Sequence, residues 1–197
     1  MYDCKKWSFK GTRFDYQLTD SDPWSITGLA RLRTEGYEAD DSSALRGMDK
    51  REITLDAGLC FAYKQCWGKI NIDILADTLG ISKGQELAIS YSKAIRQPFN
   101  MKKVFITPFA GAEWRTTSLN DYYYGVRPEE ARPDRNAYKA SGDVNYFLGM
   151  ACNWQISEKT SIFTMIKNTW LGDEIQDSPI VDQDYAISVI AGLVFNF

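Results

Sequence analysis

Apolar residues in this chain recur at every second position, and the clearest such run closes it. In residues 185–197 (YAISVIAGLVFNF), Tyr185, Ile187, Val189, Ala191, Leu193, Phe195 and Phe197 fall on one side of an extended strand. Ala186, Ser188, Ile190, Gly192, Val194 and Asn196 fall on the other. A period of two marks a β-strand, because successive side chains there face opposite ways. The same alternation predicts eight further strands, over residues 7–18, 24–33, 53–63, 69–77, 86–92, 104–115, 144–155 and 160–171. The cleanest of these sets Ile53, Leu55, Ala57, Leu59, Phe61 and Tyr63 against Thr54, Asp56, Gly58, Cys60 and Ala62. Residues 160–171 carry no assignable phase. Pro108 counts against a strand over 104–115, because proline deletes a ladder donor.

A soluble sandwich and a membrane barrel both use strands of this kind, and Ile190 and Val194 on the nominally polar side keep the sandwich open. The connections favour the barrel. Short turns near 19–23, 66–68, 97–102 and 157–159 alternate with long segments at 36–50, 117–142 and 172–184, as in outer-membrane barrels. The six tryptophans lie at or near strand ends, where an interfacial girdle forms. In a barrel, Leu55, Leu59, Ile72 and Leu148 face lipid. Arg13, Asp15, Arg31, Asp56, Asp73, Glu86 and Glu113 line the lumen with Thr54 and Asn145. Backbone groups in lipid must pair within the sheet, so closure is mandatory. The last strand resembles the C-terminal strand by which outer-membrane barrels are recognised for insertion, with Tyr185, Ile187, Val189, Leu193, Phe195 and Phe197 on its outward face.

The predicted fold is therefore all-β, an antiparallel transmembrane β-barrel occupying residues 1–197 as one domain. Nine strands is an odd number, whereas single-chain bacterial barrels have even numbers. Back-counting from the last strand starts residues 7–18 outside the cell. The expectation is one or more missing N-terminal strands and a full barrel of 10–12. The opening MYDCKKW has no apolar leader and by itself reads as cytoplasmic. The barrel pattern overrides that reading, placing the chain in the cell outer membrane with its signal peptide lost by truncation.

Composition narrows the chemistry. The chain has no histidine, which removes Ser-His-Asp and Cys-His catalysis, imidazole metal ligation and any histidine pH switch. A net charge of −3 gives no electrostatic case for nucleic acid. Mean hydropathy is −0.36, and no run of about 18 apolar residues exists, so helical spans are excluded while a half-apolar barrel is not. Cys4, Cys60, Cys66 and Cys152 show no CxxC spacing, and free thiols are expected. No cofactor or metal site is indicated. Asp56, Asp73 and Glu113 are the only candidates for an acid–base pair, and they read better as lumen lining.

Several motifs resemble the MltA-interacting protein (MipA/OmpV) family: GTR at 11–13, LRGMDKR at 45–51, WG at 67–68, DTLGISKG at 77–84, DYYYGVRPEEAR at 121–132 and GDEIQDSPIVD at 172–182. The resemblance implies an outer-membrane barrel. It also implies a non-enzymatic scaffold joining a lytic transglycosylase to a peptidoglycan synthase in peptidoglycan-remodelling complexes. Relatives described as adhesins or porin-like proteins leave an outer-loop binding role and a narrow channel as alternatives. Tyr122, Tyr123, Tyr124, Gly125, Val126 and Arg127 form the signature loop, which either binds a partner or folds inward as a plug. Arg96, Lys102 and Lys103, on an inner turn, are the candidate contacts for a periplasmic partner, although the inner turns are short and offer little surface. Pro128, followed by EEAR, is placed to start one helical turn.

Overall fold

The computed structural model describes residues 6–195, in which the alternating runs become one antiparallel sheet. Its strands are β1 (Trp7–Lys10), β2 (Arg13–Ser21), β3 (Trp24–Arg33), β4 (Thr54–Gln65), β5 (Gly68–Asp77) and β6 (Gln85–Ser92). The two-residue β7 (Ile95–Arg96), β8 (Val104–Arg115), β9 (Asp143–Gln155), β10 (Thr160–Trp170) and β11 (Tyr185–Phe195) follow. Each strand pairs with the next, except that β6 pairs directly with β8 while β7 adds to the inner end of β8. The result is the curled, barrel-type sheet that the alternation predicts. Two helices, α1 (Thr117–Tyr124) and α2 (Asp173–Gln176), sit in the long connections. Cys4, Asn196 and Phe197 lie outside the described residues.

The expected first strand is divided. Gly11 adopts φ +60, a left-handed conformation that glycine enters without steric cost, and turns the chain back on itself. β1 then pairs with β2 from Trp7 opposite Tyr16 to Lys10 opposite Arg13. Among the described residues this division gives ten strands along the sheet in place of the expected nine. It also places Trp7 at the inner end of β1, so β1 runs antiparallel to β11. A Cβ built on Gly11 comes within 3.9 Å of Ile190, so the β1–β2 turn approaches β11.

Pro108 is accommodated by the break between β6 and β7. The β6 ladder ends at Ser92 opposite Phe109, and β7 begins at Ile95 opposite Ile106. Pro108 faces that gap, where its carbonyl accepts from the Lys93 N–H at 3.2 Å and its missing N–H leaves no ladder bond broken.

The two faces separate as the alternation requires. Leu55, Leu59, Ile72 and Leu148 are exposed, as are Tyr185, Ile187, Val189 and Leu193 on the outer face of β11. Asp56, Glu86 and Arg115 are buried on the inner face, and Thr54 and Asn145 are as well packed there, at 0% and 1% exposure. Aromatic rings mark both rims of the apolar band. At the inner end Trp24, Tyr63, Trp67 and Tyr91 form a chain with centroid separations of 4.5, 6.2 and 6.0 Å. At the outer end Tyr146 and Tyr185 both pair with Trp170, with Trp114 nearby on β8. On β9 Tyr146 and Trp154 bracket the band. Their separation is about 27 Å along a strand rising ~3.4 Å per residue, or roughly 20 Å once tilted by about 40°, close to the ~25 Å apolar band of such barrels.

The interior is not uniformly polar. Leu29, Cys60, Ala62 and Leu75 form a small buried apolar cluster. The Phe109 and Phe147 rings meet at 6.3 Å. Gly149 lies opposite Phe109, and a Cβ there would stand 2.3 Å from its ring, so the close approach requires glycine. On β10, whose phase the sequence leaves open, Ser161 and Thr169 are buried inward while Ile166 and Trp170 face out.

Candidate functional site

Charged residues on the inner strand faces pair across the sheet. Arg33 on β3 reaches Asp56 on β4 at 2.6 Å and Glu86 on β6 at 2.8 Å. Arg31 joins the same two carboxylates at 3.2 and 2.9 Å. Glu35 accepts from Arg33 at 2.9 Å and from Arg115 on β8, so one ionic lattice ties four strands together. Arg13 holds Asp15 and, across to β5, Asp73. Glu113 accepts from Asn145 Nδ2 at 3.1 Å and lies 4.0 Å from Lys167. Cations therefore flank each of the three carboxylates considered for acid–base work. Buried charges need such partners, because removing one leaves the other uncompensated in a low-dielectric site.

Above the lattice, the long connections fold into a cap. Residues 34–53 and 116–142 are joined by Arg51 and Glu130, both only 2% exposed and paired through two bonds of 2.9 Å. This two-pronged geometry suits guanidinium and carboxylate. Arg51 also donates to the Tyr122 carbonyl at 2.7 Å. Glu130 accepts from the Asp49 and Arg127 N–H groups, each at 2.9 Å. Burial alone would raise the Glu130 carboxyl, but Arg51 and these two amides outweigh it and hold it down at about 2. Arg135 donates to the carbonyls of Glu130 and Ala44, both at 2.6 Å. Leu119, Tyr123, Val126, Ala140 and Ile175 form the buried apolar interior of the cap. The Tyr138 hydroxyl donates to the Glu174 carbonyl at 2.8 Å, and Ser178 Oγ to the Tyr124 carbonyl at 2.6 Å, which fastens the 171–184 connection to the other two.

The signature loop divides its residues between two environments. Tyr123 and Val126 turn into the cap interior. The Arg115 guanidinium lies over the Tyr124 ring at 5.5 Å, linking the cap to the ionic lattice. Tyr122, Gly125, Val126 and Arg127 line a cleft of about 580 Å³ on the cap surface, and the Arg127 side chain pairs with Asp49 at 2.7 Å. The expected turn after Pro128 is present as a short 3-10 helix, Pro128–Glu130.

At the opposite end, residues 93–103 form the largest inner connection. Its tip, Pro98–Asn100, is a 3-10 turn; Gln97 just before it and Phe99 and Asn100 within it adopt positive φ, of 53, 53 and 62°. Phe99 is 88% exposed there. Arg96 lies on β7, also exposed. Lys102 and Lys103 line a shallow, mostly apolar recess of about 370 Å³ with Met101, Val104, Cys152 and Trp154. The three basic residues thus share one turn with an apolar tip that sequence reasoning missed. Its only signal was an aromatic between Pro98 and Asn100 in a turn. On β11, the backbone of Phe195 pairs with Thr160.

A family model described as MltA-interacting protein MipA matches residues 1–197. The chain belongs to this family. It is 32% identical over 161 residues to outer membrane protein Omp26La of Vibrio anguillarum, a match covering 82% of this chain and 61% of that protein. OmpV of Vibrio cholerae matches at the same identity and coverage. The MltA-interacting protein of Escherichia coli is 28% identical over 199 residues, spanning 100% of this chain and 79% of that protein. The chain thus spans under two thirds of the length of the two Vibrio relatives. No solved structure matches it. Relatives named for the outer membrane, together with a sheet of this build, identify the chain as an outer-membrane β-barrel protein.

Proposed function

We propose that this protein is a non-enzymatic, capped barrel that acts as a periplasm-facing scaffold and receives a lytic transglycosylase at the residue 93–103 turn. The observation that carries the reading is Phe99, held 88% exposed at the tip of the largest inner connection. Left-handed backbone at three non-glycine residues costs energy and collects at functional sites. Around this apolar tip stand the exposed Arg96, Lys102 and Lys103, an apolar centre with a charged rim suited to a protein contact. Partner choice rests on the name of the Escherichia coli relative, an MltA-interacting protein, MltA being a lytic transglycosylase. A peptidoglycan synthase is the second partner, reached through the same complex. A stable contact needs about 800 Å² per partner, so the neighbouring turn at Glu158 and Lys159 joins it.

The channel reading is disfavoured by the Arg51–Glu130 cap and by the arginine–carboxylate lattice below it. The test is retention of a purified lytic transglycosylase on the detergent-solubilised barrel. Phe99→Ser combined with Lys102→Glu and Lys103→Glu should weaken retention by about tenfold or more, the loss of one interface anchor. Unchanged retention would move the contact off this turn, and no retention by the unaltered chain would remove the scaffold role.

A further inference from the structure

The cleft on the cap has no part in the periplasmic contact, since it opens at the opposite end of the sheet. Its volume of about 580 Å³ falls within the ~300–1,000 Å³ range of small-ligand sites. Its walls come from separate connections that the cap holds in place: Lys83 from the β5–β6 loop, Tyr122 from α1, and Arg127, Tyr138 and Lys139 from the 125–142 segment. The walls are braced by hydrogen bonds and an ion pair. Val126 and Tyr138 exchange backbone bonds of 2.8 and 2.9 Å, and the Arg51–Glu130 pair lies beneath. The Tyr122 hydroxyl accepts from the Glu52 N–H, and the Tyr138 hydroxyl donates to the Glu174 carbonyl. What the two residues offer a ligand is therefore the Tyr122 O–H proton and the ring faces left open, the Arg51 guanidinium lying over the Tyr122 ring at 5.8 Å.

The charge of the lining is mostly positive, with Arg51, Lys83, Arg127 and Lys139 against Asp121. Arg127 in the cleft wall, and Lys50 and Arg132 elsewhere on the cap, are each answered by a carboxylate, at 2.7, 3.1 and 2.9 Å. Among the described residues, the Lys83 and Lys139 ammonium groups have no such partner, though both line the cleft. Lys83 is held at φ 54, its N–H bonded to Asp77 at 2.9 Å, so the lysine is fixed in a conformation that non-glycine residues seldom adopt. The one carboxylate in the lining, Asp121, accepts from the Ala140 N–H at 3.2 Å and serves the loop. A concave site with an excess of one sign of charge concentrates ions of the other.

We propose that this cleft binds an anionic saccharide, a sugar bearing phosphate or carboxylate, with Lys83 and Lys139 taking the charge and the Tyr122 and Tyr138 rings stacking on the sugar. An acidic peptide is less well matched, because the site presents ring faces and point charges rather than an open sheet edge for main-chain pairing. Two sources share this chemistry: the headgroup of an anionic glycolipid in the surrounding leaflet, and a soluble acidic glycan.

The test titrates the full chain, in micelles of a neutral detergent, with a diphosphorylated glucosamine disaccharide and its dephosphorylated counterpart. The phosphorylated form binds at least tenfold more tightly. Lys83→Gln with Lys139→Gln weakens it by roughly a hundredfold, about tenfold per lost charge-assisted contact. Lys64→Gln, exposed at the inner end of β4, leaves it unchanged. The same disaccharide presented as an acylated glycolipid in vesicles identifies the source. Preference for the vesicle form assigns the membrane headgroup, and equal or better binding of the soluble form assigns a free glycan; both uphold the site. Equal affinity for phosphorylated and dephosphorylated sugar, indifference to the double lysine variant, or no binding at all overturns it.

Discussion

Replacing Glu130 by Gln keeps the shape of the cap's central contact and removes its negative charge. Arg51 then remains buried at 2% exposure without a counter-charge. Breaking a buried ion pair by removing one partner costs about 3–5 kcal/mol. The loss falls on the cap, because Arg51 and Glu130 both lie in connections, whereas the strands keep their own ladders and the Arg33–Asp56–Glu86 lattice. Local opening at that cost corresponds to roughly a hundredfold to a few thousandfold faster amide exchange, at 1.4 kcal/mol per tenfold. Hydrogen exchange followed by mass spectrometry on the protein in lipid nanodiscs reads it directly. Peptides covering residues 118–138 should exchange faster by that factor, while peptides from β4 and β9 keep their protection. Unchanged exchange in the cap would show that the pair is not what closes it. Equal loss in cap and strands would show that the cap is not a separate unit.

Acid should reproduce the effect. The folded Glu130 value of about 2 lies below its ordinary 4.5, so its stabilisation is complete above about pH 4.5 and is lost as pH falls toward 2. Cap peptides of the unaltered protein should gain exchange across that window and Glu130→Gln should be flat, once the intrinsic pH dependence is subtracted. In planar bilayers the unaltered protein should show no steady conductance, and a persistent open level would contradict a cap-closed interior.

The strand faces were legible in the sequence because lipid and lumen impose opposite polarities on alternate residues. Ile53–Tyr63 and Tyr185–Leu193 declare that alternation plainly. β10 does not, because its outward face carries Thr164 and Asn168 while Phe163 and Met165 point inward, so neither phase is purely apolar. The Gly11 turn was hidden for a related reason: in GTR the alternation passes through glycine and threonine without a visible break, and the left-handed φ that turns the chain is a backbone property. α1 reads TSLNDYYY, composed mainly of middling helix formers, and it holds because Leu119, Asn120 and Tyr123 are buried by the other connections. The Arg51–Glu130 pair joins residues 79 apart in the sequence, and no local pattern announces it. Charges at strand positions did announce the lumen lattice, but not which partners they would take.

The central claim is that alternate residues of these strands face lipid and a charged interior, and adjacent positions on β6 test it most directly. Ile89 faces outward in the middle of the sheet, opposite Ile72 and Ala112. Ala88 faces inward, paired with Asp73 on one side and Glu113 on the other. The measurement is the unfolding free energy of Ile89→Arg and Ala88→Arg by denaturant titration in lipid vesicles. Arginine at Ile89 should cost about 2–4 kcal/mol, as at the midplane of a lipid-facing strand. Arginine at Ala88, set between two carboxylates, should cost under about 1 kcal/mol, since opposite charges on cross-strand neighbours offset its burial. Equal costs at the two positions, or a larger cost at Ala88, would contradict the assignment of these faces to lipid and lumen.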